Sequence, residues 1–250
     1  MGQAMDVIVF DIFADYGHFK VPYTTTSPLT LPVPSKTAIY GIIGAIMGFH
    51  KDDYLTRFQD GSCRIAIGVR RPIRKTHISE NLINTKNVSK TSLFARMNSR
   101  KSAPRTQVKI EFLKEPGYRL YITHSDERLL KELLSLIKEH KSVYTLSFGI
   151  TECLANFEYT GFYQTEEAGD SGEFVCLNSI LPLKLIASTD DIKLDDSKYY
   201  IRTHIPLEMK PDRELLKTGD FLIEANGETI TAKVGTYHKI IGLNENVIFF

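Results

Sequence analysis

The sequence has no tryptophan and only three cysteines, and no apolar stretch approaches the roughly twenty residues that a membrane-spanning helix needs. Cys63, Cys153 and Cys176 are far apart and form no Cys-x-x-Cys pair, so neither a disulfide framework nor a zinc site is predicted. The first residues lack the basic segment and apolar run of a signal peptide. These absences predict a soluble cytoplasmic protein that contacts no membrane and needs no metal or cofactor.

Charge is nearly balanced over the whole chain but unevenly distributed along it. The formal net charge is +1, yet the window from Arg64 to Arg119 contains 14 Lys or Arg against three Glu, which gives +11 there and −10 elsewhere. A basic block within a neutral chain is typical of polyanion binders, because each neutralised phosphate releases counterions. The block therefore indicates a nucleic-acid partner.

The hydrophobic pattern predicts an α+β protein. Five segments are predicted to be strands: 7–13, 63–71, 105–113, 118–122 and 154–163. Polar and apolar residues alternate at period two in 63–71 and 105–113. Two helices are predicted, one capped by Ser35 and one capped by Ser125 with a leucine-rich face. The order through residue 163 is β-α-β-β-α-β, the ferredoxin-like or RRM-type pattern.

Two segments stand outside that pattern. Residues 72–104 are polar and predicted to form a long insertion between strands, like a hairpin arm. Residues 167–250 are predicted to form a small β-rich C-terminal domain, separate from a domain of residues 1–166. Within it, Asn226-Gly227 predicts a hairpin turn between 221–224 and 229–231.

A proline-rich loop leads directly into the first helix. Four prolines between residues 22 and 34 predict an irregular, largely extended loop. The free amide groups at the following helix start, together with Lys36 and Thr37, form a place where a phosphate could bind. The alternative is an ordinary junction whose Gly41, Gly44 and Gly48 let the helix pack closely on a sheet.

No motif of a common enzyme class occurs: there is no Gly-x-x-x-x-Gly-Lys-Thr, no Gly-x-Ser-x-Gly and no His-Glu-x-x-His. The seven histidines are scattered. A metal-independent RNA-cleaving site could be assembled from His77 as base, Lys75 as cation and Tyr40 as acid, but no spacing requires it. The sequence favours a non-catalytic protein, with an endoribonuclease as the alternative.

The string PLTLPVPSKTAIYGIIGAIMG, preceded by a strand and a polar loop, resembles the Cas-five family of the RAMP superfamily. Residues 146–153, LSFGITEC, are similar to the glycine loop of that family, with Ile150 where an arginine is common. Members cap the 5′ end of crRNA in CRISPR Cascade-type surveillance complexes. Relatives of type I-C cut repeat RNA with an aromatic hydroxyl in the first helix and a Lys-His pair; here Met47 takes the aromatic position and no adjacent Lys-His occurs.

The resemblance is strongest to type I-B Cascade subunits and implies a non-catalytic role in binding and capping the 5′ handle of crRNA. It implies contacts with the backbone and large subunits, possible association with a repeat-cutting endoribonuclease subunit, and indirect contact with target DNA. Residues 72–104 correspond to the thumb of the family. A ferredoxin-like module that binds another RNA or a protein, unrelated to CRISPR, remains a further alternative.

The expected contacts form four groups. These are Lys20, Tyr23, Ser35, Lys36, Thr37 and Tyr40 at the proline loop and helix start, with Tyr40 stacking on an unpaired base; Arg70, Arg71, Arg74, Lys75, Arg100, Lys101 and Arg105 on phosphates; Ser147, Phe148 and Gly149 in the glycine loop; and Leu93, Phe94 and Met97 against a neighbouring subunit.

Overall fold

The computed structural model describes residues 4–24, 26–51, 53–58, 61–83, 105–169 and 172–250. Five residues with expected contacts, Leu93, Phe94, Met97, Arg100 and Lys101, lie outside the described residues, as does the insertion beyond residue 83.

The described chain is mostly sheet with few helices. Its strands are β1 (Met5–Ala14), β2 (Tyr16–Gly17), β3 (Cys63–Val69), β4 (Arg74–Ile83), β5 (Arg105–Lys114), β6 (Gly117–His124), β7 (Ala155–Ala168), β8 (Val175–Leu177), β9 (Leu181–Pro182), β10 (Ile192–Lys193), β11 (Tyr200–Met209), β12 (Leu215–Glu224), β13 (Ile230–Ala232), β14 (Tyr237–Ile240) and β15 (Glu245–Val247). Its α-helices are α1 (Lys36–Met47), α2 (Tyr54–Phe58) and α3 (Glu127–Lys138). No helix in the described ranges is long and apolar enough to cross a membrane.

A six-stranded antiparallel sheet in the order β15-β14-β7-β1-β6-β3 forms the centre of the molecule. Helices α1 and α3 pack against each other, and α3 also packs on β1, β6 and β7. The main hydrophobic core lies between the helices and the sheet and contains Ile8, Phe10, Ile43 and Leu133, each fully buried. The strands predicted at 7–13, 63–71, 118–122 and 154–163 all fall in this sheet.

Both long helices begin at a side-chain cap. The Ser35 hydroxyl accepts a hydrogen bond from the amide of Ala38, as predicted for α1. The cap of α3 is Asp126 rather than the predicted Ser125, because the Asp126 carboxylate accepts from the amides of Arg128 and Leu129. A carboxylate also suits the positive end of a helix better than a hydroxyl does.

The hairpin arm consists of β4 and β5, which pair without interruption from Arg74–Lys114 to Ile83–Arg105. Residues 74–83 were predicted only as part of a polar insertion, whereas they form a ten-residue strand. The apolar side chains of β4 are largely exposed, so no buried face marked this strand in the sequence. Short β2 pairs with β5 and joins the arm to the end of β1.

The C-terminal residues take part in the central sheet. β14 pairs with β7, and β15 pairs with β14. The predicted hairpin at Asn226-Gly227 is wrong, because β12 pairs with β11 and β9 whereas β13 pairs with β8 and β10. The division into 1–166 and 167–250 stays a prediction, and its boundary lies inside β7.

Candidate nucleic-acid interface

One edge of the central sheet gathers most of the segments that carry predicted contacts. β1 and β3 both end at this edge, and β6 and β7 both begin there, since Val69 is opposite Tyr118 and Ala14 is opposite Ala155. The proline loop and the start of α1 follow β1, while the glycine loop precedes β7. The antiparallel topology therefore brings together segments more than a hundred residues apart.

The proline loop is held in place by the base of the hairpin arm. Glu111 on β5 accepts a hydrogen bond from the Thr30 amide at 3.1 Å, and its own amide donates to the Pro28 carbonyl at 3.0 Å. Lys75 on β4 donates to the Thr30 carbonyl at 2.7 Å and pairs with Glu111 at 2.9 Å. The Tyr118 hydroxyl donates to the Pro32 carbonyl. Lys75, expected to bind phosphate, is thus already engaged in positioning the loop.

The start of α1 is more buried than the sequence suggests. Ser35 and Thr37 are both buried, and their hydroxyl oxygens lie 3.0 Å apart. Lys36 is half-buried, with its ammonium about equally far from the Tyr40 and Phe250 rings, at 5.9 and 6.0 Å. Burial lowers the pKa of Lys36. The partly buried ammonium of Lys36 is therefore less hydrated than that of an exposed lysine.

Tyr40 does not fit the expected stacking on an unpaired base. Its ring is 1% exposed and stacks on Phe58 at 5.4 Å within the core. Burial also raises the pKa of Tyr40, so its hydroxyl keeps its proton. With Tyr40 in the core and Lys75 paired to Glu111, the structure does not assemble the cleavage group that His77 would complete.

Several basic and aromatic side chains remain exposed near this edge: Lys20, Tyr23, Arg70, Arg71 and Arg74. Arg105 is also exposed but lies opposite Ile83, at the far end of the hairpin arm, so the structure does not bring it to this edge. Tyr23 is 81% exposed in the proline loop. Arg70 forms a long ion pair, 3.8 Å, with Asp11, and the Arg71 guanidinium lies 5.3 Å from the centre of the Phe13 ring. By contrast Arg119, part of the same basic block, is paired with Asp11 and Glu245 and is largely buried.

The glycine loop packs against the segment that follows β1. The His18 amide donates to the Phe148 carbonyl at 2.9 Å, and Phe148 is fully buried. Gly149 has φ +90°, and a methyl group there would collide with the His18 carbonyl oxygen. Phe148 therefore packs in the core and is not positioned to contact RNA, whereas Ser147 and Gly149 are at least partly accessible.

The helix start and the glycine loop line one cavity. Thr37, Ala38 and Gly41 of α1 meet Thr145, Ser147 and Gly149 around a volume of about 230 Å³. The sequence predicts RNA contacts in both segments but does not show that they line a common cavity. Thr145 is an additional lining residue that the sequence did not single out.

A second cavity of about 300 Å³ continues along α1 and shares Gly41, Ala45 and Tyr54 with the first. The two glycines near Tyr54 do not serve close packing on the sheet, because a methyl group at Gly44 would lie 2.9 Å from the Tyr54 Cβ and one at Gly41 would lie 3.9 Å from its Cζ. Tyr144 also lines this second cavity. Only the 3–4 residue spacing of Ala38, Gly41 and Ala45 signalled this small-residue face.

No set of His, Cys, Asp or Glu side chains among the described residues could hold a metal ion. The prediction that no cofactor is needed stays a prediction.

Solved structures resemble this chain in fold. A CRISPR protein from Archaeoglobus fulgidus is 14% identical, with 97% of this chain and 98% of that chain covered and a TM-score of 0.52. A chain of a CRISPR RNA-guided surveillance complex is 10% identical, with coverages of 90% and 91% and a TM-score of 0.50. At such identities the likeness concerns the fold alone. No curated protein sequence matches.

A family model gives a more specific result. The model described as CRISPR-associated protein (Cas_Cas5) matches residues 7–213, which include β1, the proline loop, α1, the hairpin arm and the glycine loop. The match extends over most of the chain and over every segment that forms the edge described above. The chain therefore belongs to the CRISPR-associated protein (Cas_Cas5) family.

Proposed function

We propose that this protein is a non-catalytic subunit of a type I CRISPR Cascade surveillance complex that binds and caps the 5′ handle of crRNA. The observation that carries the proposal is the meeting of the proline loop, the α1 start and the glycine loop at one sheet edge, beside exposed Arg70, Arg71 and Arg74. Family membership supports it.

The finer assignments follow from the same proposal. The strand order β7-β1-β6-β3 supports a ferredoxin-like unit, with α1 and the short α2 between β1 and β3 and with α3 between β6 and β7. The size of the chain and the lack of a repeat-cutting set of residues favour type I-B over type I-C. The partners are crRNA, a backbone subunit along the arm, the large subunit and, through the assembled complex, target DNA; a repeat-cutting endoribonuclease is a further candidate partner.

The alternatives receive less support. An endoribonuclease using Tyr40 would need a hydroxyl that reaches RNA, and that hydroxyl is in the core. A module unrelated to CRISPR is disfavoured by the family match.

The arginines provide a direct test in solution. Replacing Arg70 and Arg71 together by alanine is expected to weaken binding of the purified protein to handle RNA. The slope of log affinity against log salt should fall in magnitude by about 1.4, since each phosphate contact on a single strand contributes about 0.7. The matched control is Arg128→Ala with Lys131→Ala, which removes the same charge from the exposed face of α3. An unchanged slope, or an equal change in the control, would contradict the placement of the RNA.

The role itself is tested in cells. RNA crosslinked to the protein in its native host is expected to accumulate on one short repeat-derived 5′ handle. Scattered reads, or none, would remove the proposed function.

A further inference from the structure

The two cavities along α1 share lining residues and together form a slot. The chemistry of the lining changes from one cavity to the other. Tyr54 and Tyr144 line its apolar part together with Gly41 and Ala45. Toward the start of α1 the lining changes to the hydroxyls of Thr37, Thr145 and Ser147. The lining is therefore aromatic and apolar in one part, and in the other part it includes hydroxyl groups, which can both donate and accept hydrogen bonds.

The walls are fixed by the backbone. The amides of Val143 and Tyr144 donate to the carbonyls of Ile46 and Ala45, at 3.1 and 3.0 Å, so this loop is tied to the end of α1. Tyr54 packs across α1 at Gly44. Tyr144 nonetheless keeps half of its surface exposed, 52%, although it is a large aromatic side chain.

The charge around the slot favours RNA over an acidic or purely apolar partner. Within the described part of the chain, no Asp or Glu lines either cavity, and Lys51 and His50 lie at the far end. The slot also opens onto the edge where the RNA is proposed to bind, because both include the start of α1 and the glycine loop. An unpaired nucleobase matches these features, since it has flat faces for aromatic stacking and polar edges for hydrogen bonding.

We infer that this slot binds one unpaired base of the RNA, with Tyr144 and Tyr54 as stacking residues and the hydroxyls of Thr145 and Ser147 at the base edge. The inference rests on the proposed function and adds where a base enters the protein. It gives the stacking role to tyrosines at the slot, in place of buried Tyr40.

The test uses the full chain and a single-stranded RNA with the sequence of the 5′ handle of the host CRISPR repeat. Each nucleotide in turn is replaced by 2-aminopurine, whose fluorescence falls when it stacks. One position is expected to be quenched on binding. In Tyr144→Ala this quenching should disappear and the affinity should fall about ten-fold, as for loss of a base–aromatic contact.

A second variant blocks the slot without removing an aromatic ring. Gly41 has space beside it and lies within a helix, so Gly41→Leu is expected to fold, to fill the slot and to abolish the same quenching. The control is Tyr199→Ala, which removes an equally large and exposed tyrosine, 63%, outside the slot. Circular dichroism and thermal unfolding confirm that each variant is folded.

The outcomes distinguish failure of the proposed function from failure of the base slot. If the wild-type protein does not bind the handle RNA, the proposed function fails and the base slot with it. If it binds, and the Arg70/Arg71 variant weakens binding while Tyr144→Ala and Gly41→Leu leave affinity and quenching unchanged, the function stands and the slot assignment is wrong. If these two variants instead lose a protein subunit while retaining RNA affinity, the occupant is a protein and the inference is overturned.

Discussion

Gly149 shows how one residue fixes the distance between two segments of the candidate interface. Its φ of +90° is unfavourable for any residue with a Cβ, and the space that a Cβ would occupy is taken by the His18 carbonyl. The close approach of the glycine loop to the segment after β1 is therefore possible only with glycine.

Gly149→Ala is expected to destabilise the protein by about 3 kcal/mol or more, because backbone strain and a collision with main-chain atoms add together. Chemical denaturation followed by circular dichroism measures the loss. Gly61→Ala is the matched control, since Gly61 also has positive φ, +76°, but has open space around it. Equal losses in the two variants would mean that the contact with His18 has no energetic weight.

Tyr40 illustrates the limit of sequence analysis at this scale. A tyrosine one turn into a helix that begins at a predicted binding loop was expected to face the RNA, but α1 turns its large side chains toward the core and its small ones outward. A small-residue face normally indicates packing against another element, and so the sequence could not show that it is the accessible face. Tyr54 and Tyr144 lie in short segments without any regular pattern.

At the scale of elements, Glu111 links the proline loop to the hairpin arm by hydrogen bonds. The carboxylate holds the Thr30 amide and Lys75, and the Glu111 carbonyl oxygen is 2.7 Å from Nδ1 of His18. Desolvation alone would raise the pKa of Glu111, but the hydrogen bonds from Lys75 and Thr30 outweigh it, and the pKa is lowered.

Glu111→Gln is expected to cost about 1–2 kcal/mol at pH 7, because the amide can still accept from Thr30 but cannot pair with Lys75. A carboxyl with a lowered folded-state pKa stabilises the protein above its unfolded pKa of about 4.3, and this contribution is lost as the pH falls through the folded value. The difference in unfolding free energy between wild type and variant should therefore shrink as the pH falls below the unfolded pKa and through the lowered folded-state pKa of Glu111.

Denaturant titrations at several pH values measure that difference. The control is Glu115→Gln at an exposed position nearby on the chain. A gap between wild type and Glu111→Gln that persists unchanged at low pH would show that the charge of Glu111 is not the source of the stabilisation.

The elements themselves were predictable to different degrees. Strands with one or two buried faces and the helices carry strong periodicity, and the capping serine of α1 marks its start directly. β4 has no buried face, and its apolar residues do not alternate regularly with polar ones. It is stabilised by pairing with β5 in an exposed arm, and a single strand's sequence does not reveal such pairing. Pairing partners in the C-terminal region depend on long-range contacts, which explains why a local turn signal at Asn226-Gly227 was misleading.

At the scale of the whole molecule, the C-terminal residues cover the sheet face opposite the helices. Ile240, Val247 and Phe249 pack with Val7, Val9, Ala66 and Tyr121 of the central strands. In RRM-type domains this face binds RNA, but here it is occupied by the chain itself. RNA is therefore expected at the edge of the sheet and along α1 rather than on the sheet surface, which the strand pattern alone could not have shown.

A network of hydrogen bonds and ion pairs links the C-terminal residues to the central strands. Glu245 of β15 accepts hydrogen bonds from Arg119 at 3.0 Å and from the Tyr121 hydroxyl at 2.6 Å, while Arg119 also pairs with Asp11 at 2.7 Å. The hydrogen bond to Asp11 raises the pKa of Arg119, so its charge is permanent and must be matched. Removing Glu245 leaves a buried hydroxyl and part of a guanidinium without a partner.

Glu245→Ala is expected to lower stability by about 2 kcal/mol, which for a chain of this length corresponds to a fall in Tm of roughly 4–8 °C. Because β14 and β15 belong to the central sheet, the variant and the wild type should each unfold in a single calorimetric transition. Asp196→Ala, at an exposed position between β10 and β11, controls for the loss of an acidic residue. Two separate transitions would instead show that residues 167–250 fold as an independent domain, and the network would then be only a contact between domains.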